Sequence, residues 1–174
     1  MKVKTLNQNF VFLIIGQASS MFGTALLKFI VSLLILDLTS SAALFGTITA
    51  ISYIPPIFLS PIGGIIADRN NRRNLMIALD SLYGIMAVLL ALSLSFSSVL
   101  ILITIIMVGL SVISSFETPV VQSSIPLIQE KDSLIQSNAI ISQINMLANL
   151  IGPLLAGLLY SAVGKVYLQG VRIS

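Results

Sequence analysis

The sequence has no cysteine and no histidine, and little charge of either sign. Nine Lys or Arg and six Asp or Glu make 9% of the 174 residues, against 56% hydrophobic. An ordinary soluble domain is about one-quarter charged, so this composition excludes a soluble globular domain. Without cysteine there are no disulfides, thiolate nucleophiles or zinc-thiolate sites. Without histidine, the usual proton shuttle and commonest metal ligand are missing, and proton chemistry falls to carboxylates. A net charge of +3, scattered along the chain, excludes a nucleic-acid partner. No metal, cofactor or enzymatic centre is expected. There is no nucleophile–base pair that a histidine could serve, and no phosphate-cradling loop.

What is present is long apolar sequence. Residues 5–27, 38–67, 81–116 and 133–164 carry no charge. A bilayer-spanning helix needs roughly 20 mostly apolar residues, so the chain reads as an all-α, polytopic membrane bundle with the lipid bilayer as its partner. Turn residues divide it into five expected spans, at about 10–36, 42–66, 75–94, 99–121 and 134–163. Asp37 with Thr39-Ser40-Ser41 ends the first, and Ser93, Ser95, Ser97 and Ser98 mark a tight turn after the third. Pro55, Pro56 and Pro61 fall within the second, where neighbouring helices can satisfy the freed carbonyls. Residues 1–164 form the bundle and 165–174 a short non-membrane tail. Lys2 and Lys4 before Phe10–Ile15 have the look of a signal peptide. Gly16 and Gln17 interrupt that apolar core, however, and no cleavage site follows, so an uncleaved first span is expected. Basic residues favour the cytoplasmic side. Lys2, Lys4, Arg69, Arg72, Arg73 and Lys131 on one side, against Lys165 and Arg172 on the other, place the N-terminus inside and the C-terminus outside a cell membrane.

The segment Gly64-Ile65-Ile66-Ala67-Asp68-Arg69-Asn70-Asn71-Arg72-Arg73 resembles the loop signature G-x-L-A-D-R-x-G-R-R of the major facilitator superfamily. Asn71 replaces the second glycine, and Asn also tolerates left-handed backbone angles. Gly16-Gln17 with Gly23, and Leu36–Ala42, look like bacterial drug and siderophore exporters of that superfamily. Gly152-Pro153-Leu154-Leu155-Ala156-Gly157 is similar to the G-P-x-x-G-G signature of its antiporter branch, with Ala156 for one glycine. Ser60-Pro61-Ile62-Gly63-Gly64 echoes that run where an inverted repeat would put it. The resemblance covers about residues 8–163. It departs in two places: the family has twelve helices in two halves and this chain five, and Thr24 stands where related exporters often carry an acidic residue.

The resemblance implies secondary active efflux of small amphiphilic compounds, of drug or siderophore type, by alternating access and coupled to protons. It implies the N-terminal part of such a transporter, incomplete and inactive alone, its partner a missing second half or another copy. A small membrane interaction protein and a non-functional fragment are the alternatives. By resemblance, Gly64, Asp68, Arg69, Arg72 and Arg73 form the conformational-switch loop, with Asp68 facing a helix end in the second half. Gly63 and Gly64 would allow close packing at that contact. Gly152, Pro153 and Gly157 would bend the last span where the halves meet.

Ionisable groups inside a span point to function by default. Lys28 lies deep in the first span, to pair a carboxylate or to meet an anionic substrate. Asp80 sits about 10 Å into the third span at 1.5 Å per residue. It is either an ion-pair partner of the 69–73 arginines or a proton site, and Glu117 on the fourth span is either structural or a proton site. Gln17, Asn145 and Asn149 either line the cavity or hold helices together.

Overall fold

The computed structural model describes residues 8–94, 99–129 and 133–161. These form an all-α bundle: α1 Gln8–Thr39, α2 Ala42–Ser52, α3 Ile54–Arg69, α4 Arg72–Ser93, α5 Val99–Ile128 and α6 Leu134–Leu159. With α2 and α3 taken together, five segments among the described residues are long and apolar enough to cross a membrane. Helices suit that solvent because each satisfies its own backbone hydrogen bonds. Lys2, Lys4, Lys131, Lys165, Arg172, Ser95, Ser97, Ser98 and the tail lie outside the described residues. So does the expected continuation of the last span to residue 163.

Local chemistry moves several expected boundaries. The second span divides at Tyr53, which caps α2 through its backbone N–H on Ala50 O and opens α3. Pro55 and Pro56 then fall in the first turn of α3, where N–H groups lack intrahelical partners anyway. The third span starts at Arg72, earlier than 75, because the Asn71 side chain accepts from the N–H groups of Arg73 and Asn74. Asn71 has φ −69°, so it acts as a cap and not as a left-handed substitute for glycine. Among described residues the positive φ belongs to Ser40, at 49°, where α1 turns into α2. There Ser40 N–H bonds Leu36 O at 2.8 Å, and Ser41 Oγ accepts from Leu44 N–H at 3.3 Å.

The fourth span continues past 121 to Ile128, through Pro119 and Pro126. Proline 119 denies Ser115 O its helical donor. Ser60 Oγ of α3 supplies one instead, at 3.2 Å. This α5 helix is the axis of the fold, packing against all five others. Two apolar clusters hold the ends of the bundle. One gathers Val31, Ile35, Leu90, Ile103 and Leu110, and the other Phe10, Val121, Ile125 and Ile141. Most polar side chains of interest lie between them.

Candidate functional site

Glu117 of α5 is the hub of that polar layer. Gln17 Nε2 donates to Glu117 Oε1 at 3.0 Å and Tyr83 Oη donates to Oε2 at 2.9 Å. The Ser20 hydroxyl lies 3.2 Å from Glu117 Oε1 and 2.7 Å from Asp80 Oδ1. Helical spacing explains the convergence. Gln17 and Ser20 are three residues apart on α1, as are Asp80 and Tyr83 on α4, so each pair shares a helix face. That spacing could have pointed to Ser20 and Tyr83, which sequence reasoning did not single out. Asp80 takes the Ser20 hydroxyl, and the ion pair with a 69–73 arginine, one of the two readings left open for it, does not form. Arg72 instead reaches Ser123 Oγ at 3.2 Å and Asp68 Oδ1 at 3.5 Å.

Beside α5 opens a cavity of about 760 Å³. Lys28, Glu117, Asn145, Asn149 and Pro153 line it, with Ser32, Thr49, Ser52, Ser111 and Ser114. Lys28 Nζ donates to Ser114 Oγ at 2.9 Å, and Ser114 in turn donates to Ser111 O at 2.9 Å. Among the described residues Lys28 has no carboxylate within ion-pair distance. Asn149 Nδ2 donates to Asn145 Oδ1 at 2.6 Å and to Asn145 O at 2.9 Å, both within α6. The two asparagines therefore line the cavity and do not bridge helices. Gln17, by contrast, joins α1 to α5 and lines a separate groove with Asp80, Arg72 and Arg73.

The glycine motifs divide between packing and open surface. A Cβ on Gly63 would meet Pro119 Cγ at 2.9 Å, and one on Gly152 would meet Ala25 Cβ at 2.7 Å. Gly63 thus seats α3 on α5, and Gly152 seats α6 on α1. That corrects the expectation that Gly63 packs against a second half. Gly64 and Gly157 have nothing within 4 Å. The Asp68 side chain is 71% exposed at the end of α3. Asn70 and Asn71 alone connect α3 to α4, so the switch-loop residues lie mostly on helix ends. At the opposite end of the bundle, Tyr160 Oη donates to Asp37 Oδ2 at 2.7 Å, tying α6 to α1. Among the described residues, no group of three or more acidic side chains gathers as a metal site would require.

Known proteins match this sequence. The chain is similar to macrolide efflux protein A of Streptococcus pyogenes, 22% identical over 84% of this chain and 36% of that protein. The same figures hold for macrolide efflux protein A of Streptococcus pyogenes serotype M6. The chain thus spans about a third of the length of these relatives. No solved structure matches it significantly. The sequence model of the Major Facilitator Superfamily matches residues 13–171, nearly the whole bundle. With that match over five apolar helices, the chain belongs to the Major Facilitator Superfamily and is a multi-pass membrane protein.

Proposed function

We propose that these helices form one bundle of a secondary active exporter of small amphiphilic compounds, working by alternating access. The observation that carries the reading is the cavity beside α5. It places Lys28, Glu117, Asn145 and Asn149 around one space, at the level between the two apolar clusters. Transporters of this architecture bind substrate near the midplane and rock one bundle against another. A second bundle is therefore part of the proposal, and the exposed Asp68 and open Gly64 are its points of contact. The relatives' name makes macrolides the first compounds to test.

Proton coupling is assigned to Glu117 and Asp80 with Ser20 between them. A hydroxyl has one proton, so Ser20 donates to one carboxylate at a time. Both contacts, 2.7 Å and 3.2 Å, are satisfied together when one carboxyl carries a proton and donates it to Ser20. Moving that proton along the row would link the groove beside Asp80 to the cavity beside Glu117.

The test uses liposomes with an imposed proton gradient. They hold either this chain or a chimera in which it replaces the matched segment of a macrolide efflux protein. The chimera should show saturable, gradient-dependent movement of an amphiphilic compound, macrolides and amphiphilic acids being tried in turn, that Glu117→Gln abolishes, while the chain alone shows none. Transport by the chain alone would mean that copies of it supply the second wall. Silence from both, with the protein folded, would overturn the exporter reading in favour of a membrane interaction protein. Orientation is tested separately. With the N-terminus inside the cell membrane, Asn71→Cys should react with an impermeant thiol reagent only after cells are permeabilised. Labelling in intact cells contradicts it.

A further inference from the structure

We propose that the cavity beside α5 selects amphiphiles bearing an anionic group, a carboxylate above all, and that Lys28 is the residue that holds it. The inference rests on the exporter reading and specifies the substrate class of its cavity.

A cation inside a membrane bundle is costly unless something compensates it. Lys28 has three N–H donors. Among the described residues one of them is used, on Ser114 Oγ. That oxygen belongs to a neutral hydroxyl whose own proton goes to Ser111 O. The other charge in the cavity, Glu117, is engaged elsewhere. Gln17, Ser20 and Tyr83 reach its two oxygens from α1 and α4, and none of these three donors lines the cavity. The carboxylate is thus satisfied by protein donors and the ammonium is not. A ligand entering the cavity meets an ammonium with free donors.

The rest of the wall fits an acid with an apolar body. Asn145 uses its carbonyl oxygen to accept from Asn149, which leaves its amide N–H groups available in the same cavity. Met21, Phe29, Phe45 and Met107 supply apolar surface around these donors. A charge-assisted hydrogen bond is worth more than a neutral one. By this logic a cationic amphiphile is disfavoured, since it would face Lys28 without a free carboxylate to pair with.

The experiment is equilibrium binding to the full chain in lipid nanodiscs, with empty nanodiscs subtracted. The probes are dansyl-labelled undecanoic acid, its primary amide and the matching amine, followed by fluorescence at neutral pH. The acid should bind about ten-fold or more tighter than the amide, the size expected of a hydrogen bond to a charged group. The amine should bind weakest. Lys28→Gln should bring acid and amide to within about three-fold of each other, and Lys28→Arg should keep the preference. Lys28→Met replaces Lys28→Gln if that variant fails to fold. An amine that binds as tightly as the acid in the unaltered chain overturns the proposal without any variant. So does an acid preference that survives loss of the ammonium, or absence of binding by every probe. Acid-selective binding in a protein that never supports efflux would sink the exporter reading and leave this assignment standing. Efflux without acid selectivity would do the reverse.

Discussion

The two charges that line the α5 cavity are treated in opposite ways. Glu117 receives hydrogen bonds from Gln17 of α1 and Tyr83 of α4, with the Ser20 hydroxyl shared between it and Asp80. Lys28, also at the cavity wall, has Ser114. The carboxylate is built into the bundle and joins three helices. The ammonium belongs to α1 and is tied to α5 by one neutral contact. Buried polar groups contribute to stability when their partners are complete, and strain it when they are not. Glu117 therefore belongs to what holds the helices together as well as to the proposed chemistry. Among the described residues Lys28 has one neutral hydrogen-bond partner, Ser114, and under the proposal above its remaining donors serve a ligand.

Substitutions that break this comparison should differ in size and sign, read as unfolding free energy in detergent. Glu117→Leu should have the largest effect. It strands the Gln17 and Tyr83 donors, while Ser20 keeps Asp80, and with about 1–3 kcal/mol for each buried donor left unsatisfied, the loss should reach about 3 kcal/mol. A change below about 1 kcal/mol would mean that the two donors readily find other partners. Next comes Gly152→Val, a control for packing independent of charge. Its added Cβ would lie 2.7 Å from Ala25 Cβ, so α6 must move off α1. Overpacking of this kind typically costs about 1–3 kcal/mol, while Gly64→Ala, with open space around it, should change little.

Tyr83→Phe removes one of the Glu117 donors and leaves the ring, so the expected loss is about 1 kcal/mol. It should also weaken proton-coupled flux in the chimera more than it weakens ligand binding. Lys28→Met should be the smallest, between neutral and slightly stabilising. Replacing a poorly compensated buried charge with an apolar side chain of similar volume removes a desolvation penalty. Destabilisation comparable to that of Glu117→Leu would show that Lys28 is structural, and the contrast between the two charges would collapse.

Much of the bundle was legible because the bilayer imposes a length and a polarity that composition reveals directly. The family signature was legible at Gly64–Arg73 for a different reason: its residue order is unusual enough to identify without coordinates. Boundaries set by side-chain capping were harder. The start of α4 at Arg72 depends on the Asn71 carbonyl oxygen turning back to two N–H groups. The division of the second span at Tyr53 depends on how the chain accommodates Pro55 and Pro56. In both cases a continuous apolar or polar run conceals the break.

The candidate site divides along the same line. Lys28, Glu117, Asn145 and Asn149 stand out in sequence because polar groups are rare in apolar helices, and rarity is a one-dimensional property. Ser20 and Tyr83 are common residue types in such helices, and their importance comes from whom they meet. Gln17 and Asn145 look alike in sequence, yet one bonds across to α5 and the other lines the cavity. Gly63 and Gly64 are adjacent, and only the first approaches a neighbouring helix. Sequence by itself determined that this chain is a family of apolar helices with a few charges inside them, because desolvation depends on residue type alone. Tertiary structure decided which charge is met by several side chains and which by one, because hydrogen bonds depend on the rotation of each helix about its own axis.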